Sequence, residues 1–207
     1  VEVVFHRSAW QGTTGGAGAM TAVRMGERDM LALLETFKAG KRPVLAAINS
    51  PHSVTVAGAL PDLQALEIAL QEREIGCTRL ALDYAFHSQA MDAIEQGVTG
   101  SLGTLAPHAT QVPFYSAVAG EALAGEALDG AYWWRNIRDP VCFDRAIHRL
   151  RESGASVFLE IGPRPVLGGY LAECLGETAR DCRILSTMAP TGDGLDAIRR
   201  RAFEVLI

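Results

Sequence analysis

No lysine or arginine run longer than the three arginines at 199–201 and no basic stripe occurs in this chain of 207 residues, whose formal net charge is −5. The electrostatic footprint of a nucleic-acid binder is therefore missing, and so is the basis for polybasic attachment to a membrane. No apolar stretch approaches the ~20 residues that a membrane-spanning helix needs, and no signal peptide opens the chain. The four cysteines, Cys77, Cys142, Cys174 and Cys182, are dispersed, with no C-x-x-C pair and no Cys/His spacing typical of zinc. These absences lead us to expect a reduced, cytoplasmic, metal-free protein with no nucleic-acid or membrane partner. Core-forming residues are plentiful. The chain is 48% apolar, with 21 glycines and 9 prolines, and a length prior of ~100–200 residues per domain allows one or two units.

Val1–Gln11 reads as the last turns of a helix, broken by the Gly/Thr cluster at residues 12–16. The stretch "GGAGAMT" is not a dinucleotide loop: its third glycine is missing and it leads into a strand pattern rather than a helix. From Ala19 to Leu82 the pattern is orderly. "AMTAVRM" is strand-like. "ERDMLALLETFKAG" is amphipathic, with Met30, Leu33, Leu34 and Phe37 on one face and Gly40 as its stop. "VLAAIN" and "SVTVAGA" are two strands around a Ser-Pro-His turn. "LPDLQALEIALQERE" is a second helix, apolar at Leu63, Leu66, Ile68 and Leu70. "TRLALDY" is a fourth strand. The order β-α-β-β-α-β is that of a ferredoxin-like split βαβ unit.

Beyond His87 a helix is expected at about Gln89–Gly97, then a strand at "VPFYSAV" and a helical segment broken at Pro140 and closed by Gly154. "SVFLEIG" reads as a strand buried on both faces, "PRPVLGGYLAECL" as a turn and helix, "RILSTM" as a last strand and "GLDAIRRRAFEVLI" as a terminal helix. Strands alternating with helices predict a parallel α/β layer. The ferredoxin-like unit then looks inserted into, or appended to, a larger α/β body that is incomplete at its N-terminus.

The segments "VVFHRSAWQ", "GAMTAV", "AAINSPHSVTVAG", "YAFHSQAMD", "VPFYSAVAG", "AYWWRNIRDPVCF" and "LEIGPRPVL" are colinear with the acyltransferase domain of modular type I polyketide synthases, within the malonyl-CoA:acyl-carrier-protein transacylase family, and the chain resembles that family from Val3 to its last helix. The resemblance implies an α/β-hydrolase-like large subdomain carrying a ferredoxin-like small one: residues 1–18 and 84–207 as parts of the large subdomain, residues 19–83 as the small one. It also implies ping-pong acyl transfer. A serine attacks the thioester of malonyl-CoA or a related acyl-CoA, and the acyl group passes to the phosphopantetheine thiol of an acyl carrier protein. No cofactor is implied, because acyl-CoA is a substrate and phosphopantetheine arrives on the carrier. The implied setting is a multifunctional synthase, with ketosynthase and linker domains as neighbours and antibiotic-type products.

A serine hydroxyl needs a base to accept its proton, and histidine, with an unperturbed pKa near 6.5, suits the task. The local sequence leaves His87 open between a base and a cap on the following helix; the resemblance implies the base. It likewise implies that the backbone carbonyl of Asn136 orients that ring, doing the work of the acid in a Ser-His-Asp triad, where the residues alone also allow a helix-kink asparagine before Pro140. Arg7, otherwise a solvated helix arginine, is implied to grip the free carboxylate of a dicarboxylic extender unit through its planar fork. Asn49 is implied to lie in the cleft. Tyr84-Ala85-Phe86-His87 occupies the position associated with extender choice. Phe86 would fill the space an α-methyl needs and favour malonyl, while Tyr84 belongs to the methylmalonyl pattern.

The departure from the family lies in the nucleophile. No serine in this chain sits in G-x-S-x-G, and a Gly-His-Ser-x-Gly elbow is expected upstream of Arg7 in the family. The chain thus reads as the C-terminal two-thirds of an acyltransferase domain. Two other readings remain at this point: a non-catalytic piece that docks a carrier protein or neighbouring synthase domains, and a discrete transacylase of fatty-acid synthesis.

Overall fold

The computed structural model describes residues 1–37, 42–188 and Arg199. The chain divides into two compact units, Val1–Ala146 and Ile147–Ile207. Residues 1–18, 19–83 and 84–146 fall within the first of these units.

In the first unit, helix α1 (Glu2–Gly12) precedes β1 (Ala19–Val23), α2 (Glu27–Thr36), β2 (Val44–Ser50), β3 (Ser53–Gly58), α3 (Leu60–Gln71) and β4 (Cys77–Arg79). The four strands lie in the order β4-β1-β3-β2, each antiparallel to its neighbours, which is the ferredoxin-like arrangement. Its core forms where two stripes meet one sheet face: Met30 and Leu34 of α2 and Leu63, Leu66 and Leu70 of α3 bury against Val23, Val54 and Val56. Each such side chain contributes about 1.5–3 kcal/mol. Ile68 lies off the stripe at positions 63, 66 and 70 and is 58% exposed, contrary to the apolar face expected for it. Leu33 and Phe37 pack against the core edge. The helix stop expected at Gly40 lies outside the described residues.

The fourth strand is shorter than its sequence suggests. β4 ends at Arg79, and residues 80–87 leave the sheet. The Leu80 N–H reaches the Met20 carbonyl at 2.9 Å, after which the Leu82 N–H turns back on Leu80. A 3₁₀ turn (Gln89–Ile94) and α4 (Glu95–Ser101) replace the single helix expected there. A hairpin of β5 (Phe114–Ser116) and β6 (Glu121–Leu123) follows; its second strand, at three residues too short to show a period, is invisible in the sequence. Then comes α5 (Gly130–Arg138), capped where Asp129 Oδ1 accepts from the Tyr132 N–H at 2.8 Å. Pro140 ends α5 as expected. The chain then adds β7 (Val141–Cys142) parallel to β2, pairing Ala47 with Val141 and Ile48 with Cys142. The ferredoxin-like sheet thus gains a fifth strand from a segment well outside its own sequence range. α6 (Phe143–Glu152) closes this run.

The second unit contains β8 (Val157–Glu160), α7 (Gly168–Leu175) and β9 (Arg183–Ser186). β8 and β9 pair in parallel, Val157 opposite Arg183 through Glu160 opposite Ser186, so β8-α7-β9 is a βαβ unit of the kind the alternating pattern predicts. β8 is not buried on both faces: Phe158 is buried, but Val157 is exposed and Ile161, just past the strand, is 82% exposed. A continuous apolar run signals burial only when both faces are covered, and within this unit the described residues cover one. The terminal helix expected near the C-terminus lies outside the described residues. Among the described residues no helix is long and apolar enough to cross a membrane, and no group of three or more His, Cys, Asp or Glu could hold a metal ion.

Candidate active site

The turn that carries His87 is fastened from two sides. Beneath it, Ala85 is buried, and a Cβ on Gly18 would come within 2.8 Å of the Ala85 methyl; the glycine lets the chain leaving the sheet pass this close to β1. Ser88, also buried, donates to the Ala85 carbonyl at 2.6 Å and accepts from the Ala90 N–H at 3.2 Å, capping the 3₁₀ turn. Between these anchors His87 adopts a left-handed backbone, φ +59°. Such a conformation costs a non-glycine residue about 1–3 kcal/mol and persists only where its surroundings over-determine it.

The other fastening is the C-terminal end of α5. The His87 N–H donates to the Ile137 carbonyl at 3.2 Å, and Nδ1 lies 2.8 Å from the Asp139 carbonyl. A carbonyl can only accept, so Nδ1 carries the proton and, in the neutral ring, Nε2 is the acceptor. Burial pushes the imidazole pKa below its ordinary value; the Asp139 carbonyl opposes this and the positive charge of Arg7 adds to it. The ring is thereby neutral at neutral pH, in one tautomer, with its basic nitrogen unengaged among the described residues. His87 does not follow directly on a strand, since β4 ends eight residues earlier.

The orienting carbonyl is that of Asp139, and not that of Asn136 as expected. The reason is local. Asn136 lies inside α5, where carbonyls point along the helix axis. Asp139 immediately precedes Pro140 and is forced into extended geometry, φ −83° and ψ 155°, which turns its carbonyl out of the helix. The Asp-Pro dipeptide was the sequence signal that could have located it.

Asn136 instead meets Arg7. Nη1 of Arg7 donates to Asn136 Oδ1 at 2.5 Å, across 129 residues. Arginine has no acceptor, so the amide oxygen faces it. Burial lowers the guanidinium pKa, and buried Tyr132, one turn before Asn136 on the same face of α5, opposes that. Among the described residues no carboxylate lies within ion-pair distance of Arg7. Arg7 is held in place because α1 is seated on α4: the Trp10 indole N–H donates to Ser101 Oγ at 3.0 Å, and its ring lies where a Cβ on Gly97 would be, 2.6 Å away. α5 is tied to the 3₁₀ turn by the Arg138–Asp92 ion pair. One helix end thus positions both His87 and Arg7.

Residues 1–205 match the family described as the acyl transferase domain. The chain belongs to that family. It is 36% identical over 203 residues to the polyketide synthase GfsB of Streptomyces halstedii, a match that covers 98% of this chain and 4% of that protein. To erythronolide synthase EryA2 of Saccharopolyspora erythraea it is 32% identical over 201 residues, 96% of this chain and 6% of that one. The chain therefore spans a small part of the curated relatives it matches. Among solved structures it resembles the acyltransferase domain from module 8 of the salinomycin polyketide synthase, with a TM-score of 0.92 and 28% identity over 99% of this chain and 48% of that one. The malonyl CoA-acyl carrier protein transacylase from Clostridium perfringens, 22% identical with a TM-score of 0.81 over 99% of this chain and 64% of that one, shares the fold. The fold is accordingly the two-subdomain one of acyltransferase domains, ferredoxin-like in its small part and α/β-hydrolase-like in its large part.

Within this acyltransferase frame the other expected site residues fall in two places. Tyr84 and Phe86 stack on each other, rings 4.9 Å apart and 7° from parallel, and Phe86 packs against both apolar clusters beside the His87 turn. Asn49, at the end of β2, donates to Thr55 Oγ1 at 2.9 Å across the β2–β3 hairpin.

Proposed function

We propose that this chain supplies the base and the carboxylate clamp of a polyketide synthase acyltransferase. The enzyme takes an extender unit from its CoA thioester and passes it through an acyl-serine to an acyl carrier protein. The observation that carries the reading is the pairing of a neutral imidazole, fixed by the Asp139 carbonyl, with a half-buried arginine that has no carboxylate partner among the described residues. His87 Nε2 accepts the proton as a serine oxygen attacks the thioester carbon, and the ring returns it to the departing CoA sulfur. The same cycle in reverse order delivers the acyl group to the carrier's thiol. The serine belongs to an elbow of the family's Gly-His-Ser-x-Gly kind. Ser88, though adjacent to His87, is committed to the Ala85 carbonyl.

Arg7 grips the free carboxylate of the extender, which separates malonyl from acetyl units. Malonyl is favoured over methylmalonyl because Phe86, braced by Tyr84 on one side and apolar clusters on the other, has little freedom to retreat from an α-methyl. A methyl is worth only ~1–3 kcal/mol of discrimination, so methylmalonyl is a slower alternative rather than an excluded one. The test is acyl-enzyme formation, read by intact mass, in an acyltransferase domain that carries these residues with a Gly-His-Ser-x-Gly elbow. The parent should load malonyl ahead of methylmalonyl and acetyl from an equimolar CoA mixture. His87→Ala should load none, and Arg7→Ala should lose the preference for malonyl over acetyl. Undiminished loading by His87→Ala would refute the reading.

A further inference from the structure

We infer that Asn136 is a positioning residue for Arg7, chosen for being a neutral acceptor: it fixes the guanidinium while leaving its charge uncompensated for an anionic group on the substrate. The inference rests on the reading of Arg7 as a carboxylate clamp.

A desolvated arginine usually acquires a carboxylate partner, because an unpaired buried charge is costly. Arg7 is half-buried, its pKa lowered by burial, and its hydrogen-bond partner among the described residues is an amide oxygen. Asn136 takes one N–H of the fork, from Nη1 at 2.5 Å. The guanidinium has five such donors, so the remainder can meet a carboxylate in the bidentate geometry that arginine favours. Asn136 itself sits on rigid α5, one turn beyond the buried Tyr132, whose hydroxyl is 2.9 Å from Ser116 Oγ. The acceptor therefore has a fixed origin, and the fork a fixed direction. An aspartate at 136 would have the same shape and a stronger bond. It would also neutralise the guanidinium and repel an incoming carboxylate. The charge of residue 136, at constant shape, then decides how well an anionic extender binds.

The experiment compares parent, Asn136→Asp, Asn136→Ala and Arg7→Ala in an active acyltransferase domain carrying these residues, measuring kcat/KM for acyl-serine formation from malonyl-CoA and from acetyl-CoA. Asn136→Asp should lower the malonyl-to-acetyl ratio by about tenfold or more, mainly through KM for malonyl-CoA, because a like charge now faces the extender carboxylate. Asn136→Ala, which frees the fork without opposing the ligand, should lower the ratio less. Aspartate is the better isostere, so a merely structural asparagine would give the opposite order: a ratio kept by Asn136→Asp and lost by Asn136→Ala overturns the inference, as does a ratio unchanged in both. If Asn136→Asp does not fold, Asn136→Gln and Asn136→Glu take its place: a ratio kept by glutamine and lowered by glutamate supports the inference, and a ratio kept by glutamate or lost equally by both overturns it. Arg7→Ala separates the two levels. An unchanged ratio there refutes the clamp itself; a collapsed ratio there, with Asn136→Asp at parental selectivity, refutes the role of Asn136 alone.

Discussion

His87 holds a proton on Nδ1 because a backbone carbonyl leaves it no alternative, and it stays neutral because burial makes the imidazolium expensive. The sign of its pH dependence follows. In the proposed mechanism the neutral ring is the base, so loading of the acyl-serine should fall as pH drops through its pKa, and burial moves that limb below the ordinary histidine value of about 6.5. The charged neighbours acting on it are Arg7, which pushes the limb down, and the Asp139 carboxylate, which pushes it up. Arg7→Ala removes one positive neighbour, so the acid limb of kcat/KM for acetyl-CoA should move to higher pH than in the parent. A parental limb at or above 6.5, or one that does not move, would contradict this account. The same depressed pKa is a stability statement. The unfolded ring binds a proton more readily than the folded one, so the contribution is complete above about pH 6.5 and is lost as pH falls through the lowered folded value.

The unit of positioning is the helix end and its neighbours. α5 delivers the Ile137 and Asp139 carbonyls to His87 and the Asn136 amide to Arg7, while α1 brings Arg7 only as accurately as Trp10 is seated on α4. Gly97→Ala should therefore be costly. Its methyl would fall 2.6 Å from the indole, a rigid ring that cannot swing aside, and overpacking of this kind costs about 1–3 kcal/mol. Gly100→Ala, on the same helix with nothing within 4 Å of the new methyl, is the control and should gain up to about 1 kcal/mol from helix propensity. Thermal unfolding should show a lowered Tm for the first and a slightly raised one for the second, and Gly97→Ala should also weaken malonyl loading more than acetyl loading. Equal Tm shifts for both variants would show that the indole is not a fixed wall. At this scale the sequence was read well where a stripe was long, as in α2 and α3, and poorly where termination depended on partners. "TRLALDY" has the period of a strand, yet from residue 80 the chain departs toward Gly18 and the His87 turn, and the alternating residues beyond Arg79 serve that departure.

At the scale of the whole molecule, the ferredoxin-like sheet of residues 19–79 accepts β7 as a fifth strand. That strand follows directly on the Asp139-Pro140 turn that orients His87, so the small sheet and the histidine share an anchor. The 207-residue chain also lacks any serine in a nucleophile elbow. Its two buried serines nearest the turn and α5 are committed, Ser88 to Ala85 and Ser116 to the Tyr132 hydroxyl. Because nucleophile, base and oxyanion donors act as a unit, this chain by itself should gain no acyl mass on incubation with malonyl-CoA. Stoichiometric acylation of any of its serines would displace the proposed site.

What the sequence determined by itself is whatever depends on local period and on residue chemistry. The βαββαβ order and the break at Pro140 follow from patterns a few residues long, because burial on one face imposes a period, and the family follows from seven colinear segments; His87 and Arg7 are singled out by that resemblance alone, since the local residues also allow a helix cap and a solvated arginine. Tertiary structure decided which carbonyl faces the ring, what Asn136 does, how far β4 runs and where β7 joins. Each of these is a choice among chemically equal groups. Every residue of "NIRDP" offers a carbonyl, and Asn136 could have turned its amide anywhere. Such choices are settled by which orphan group another part of the chain brings within hydrogen-bond distance, here His87 from 52 residues before Asp139 and Arg7 from 129 residues before Asn136. Separations of that length leave no trace in any local pattern.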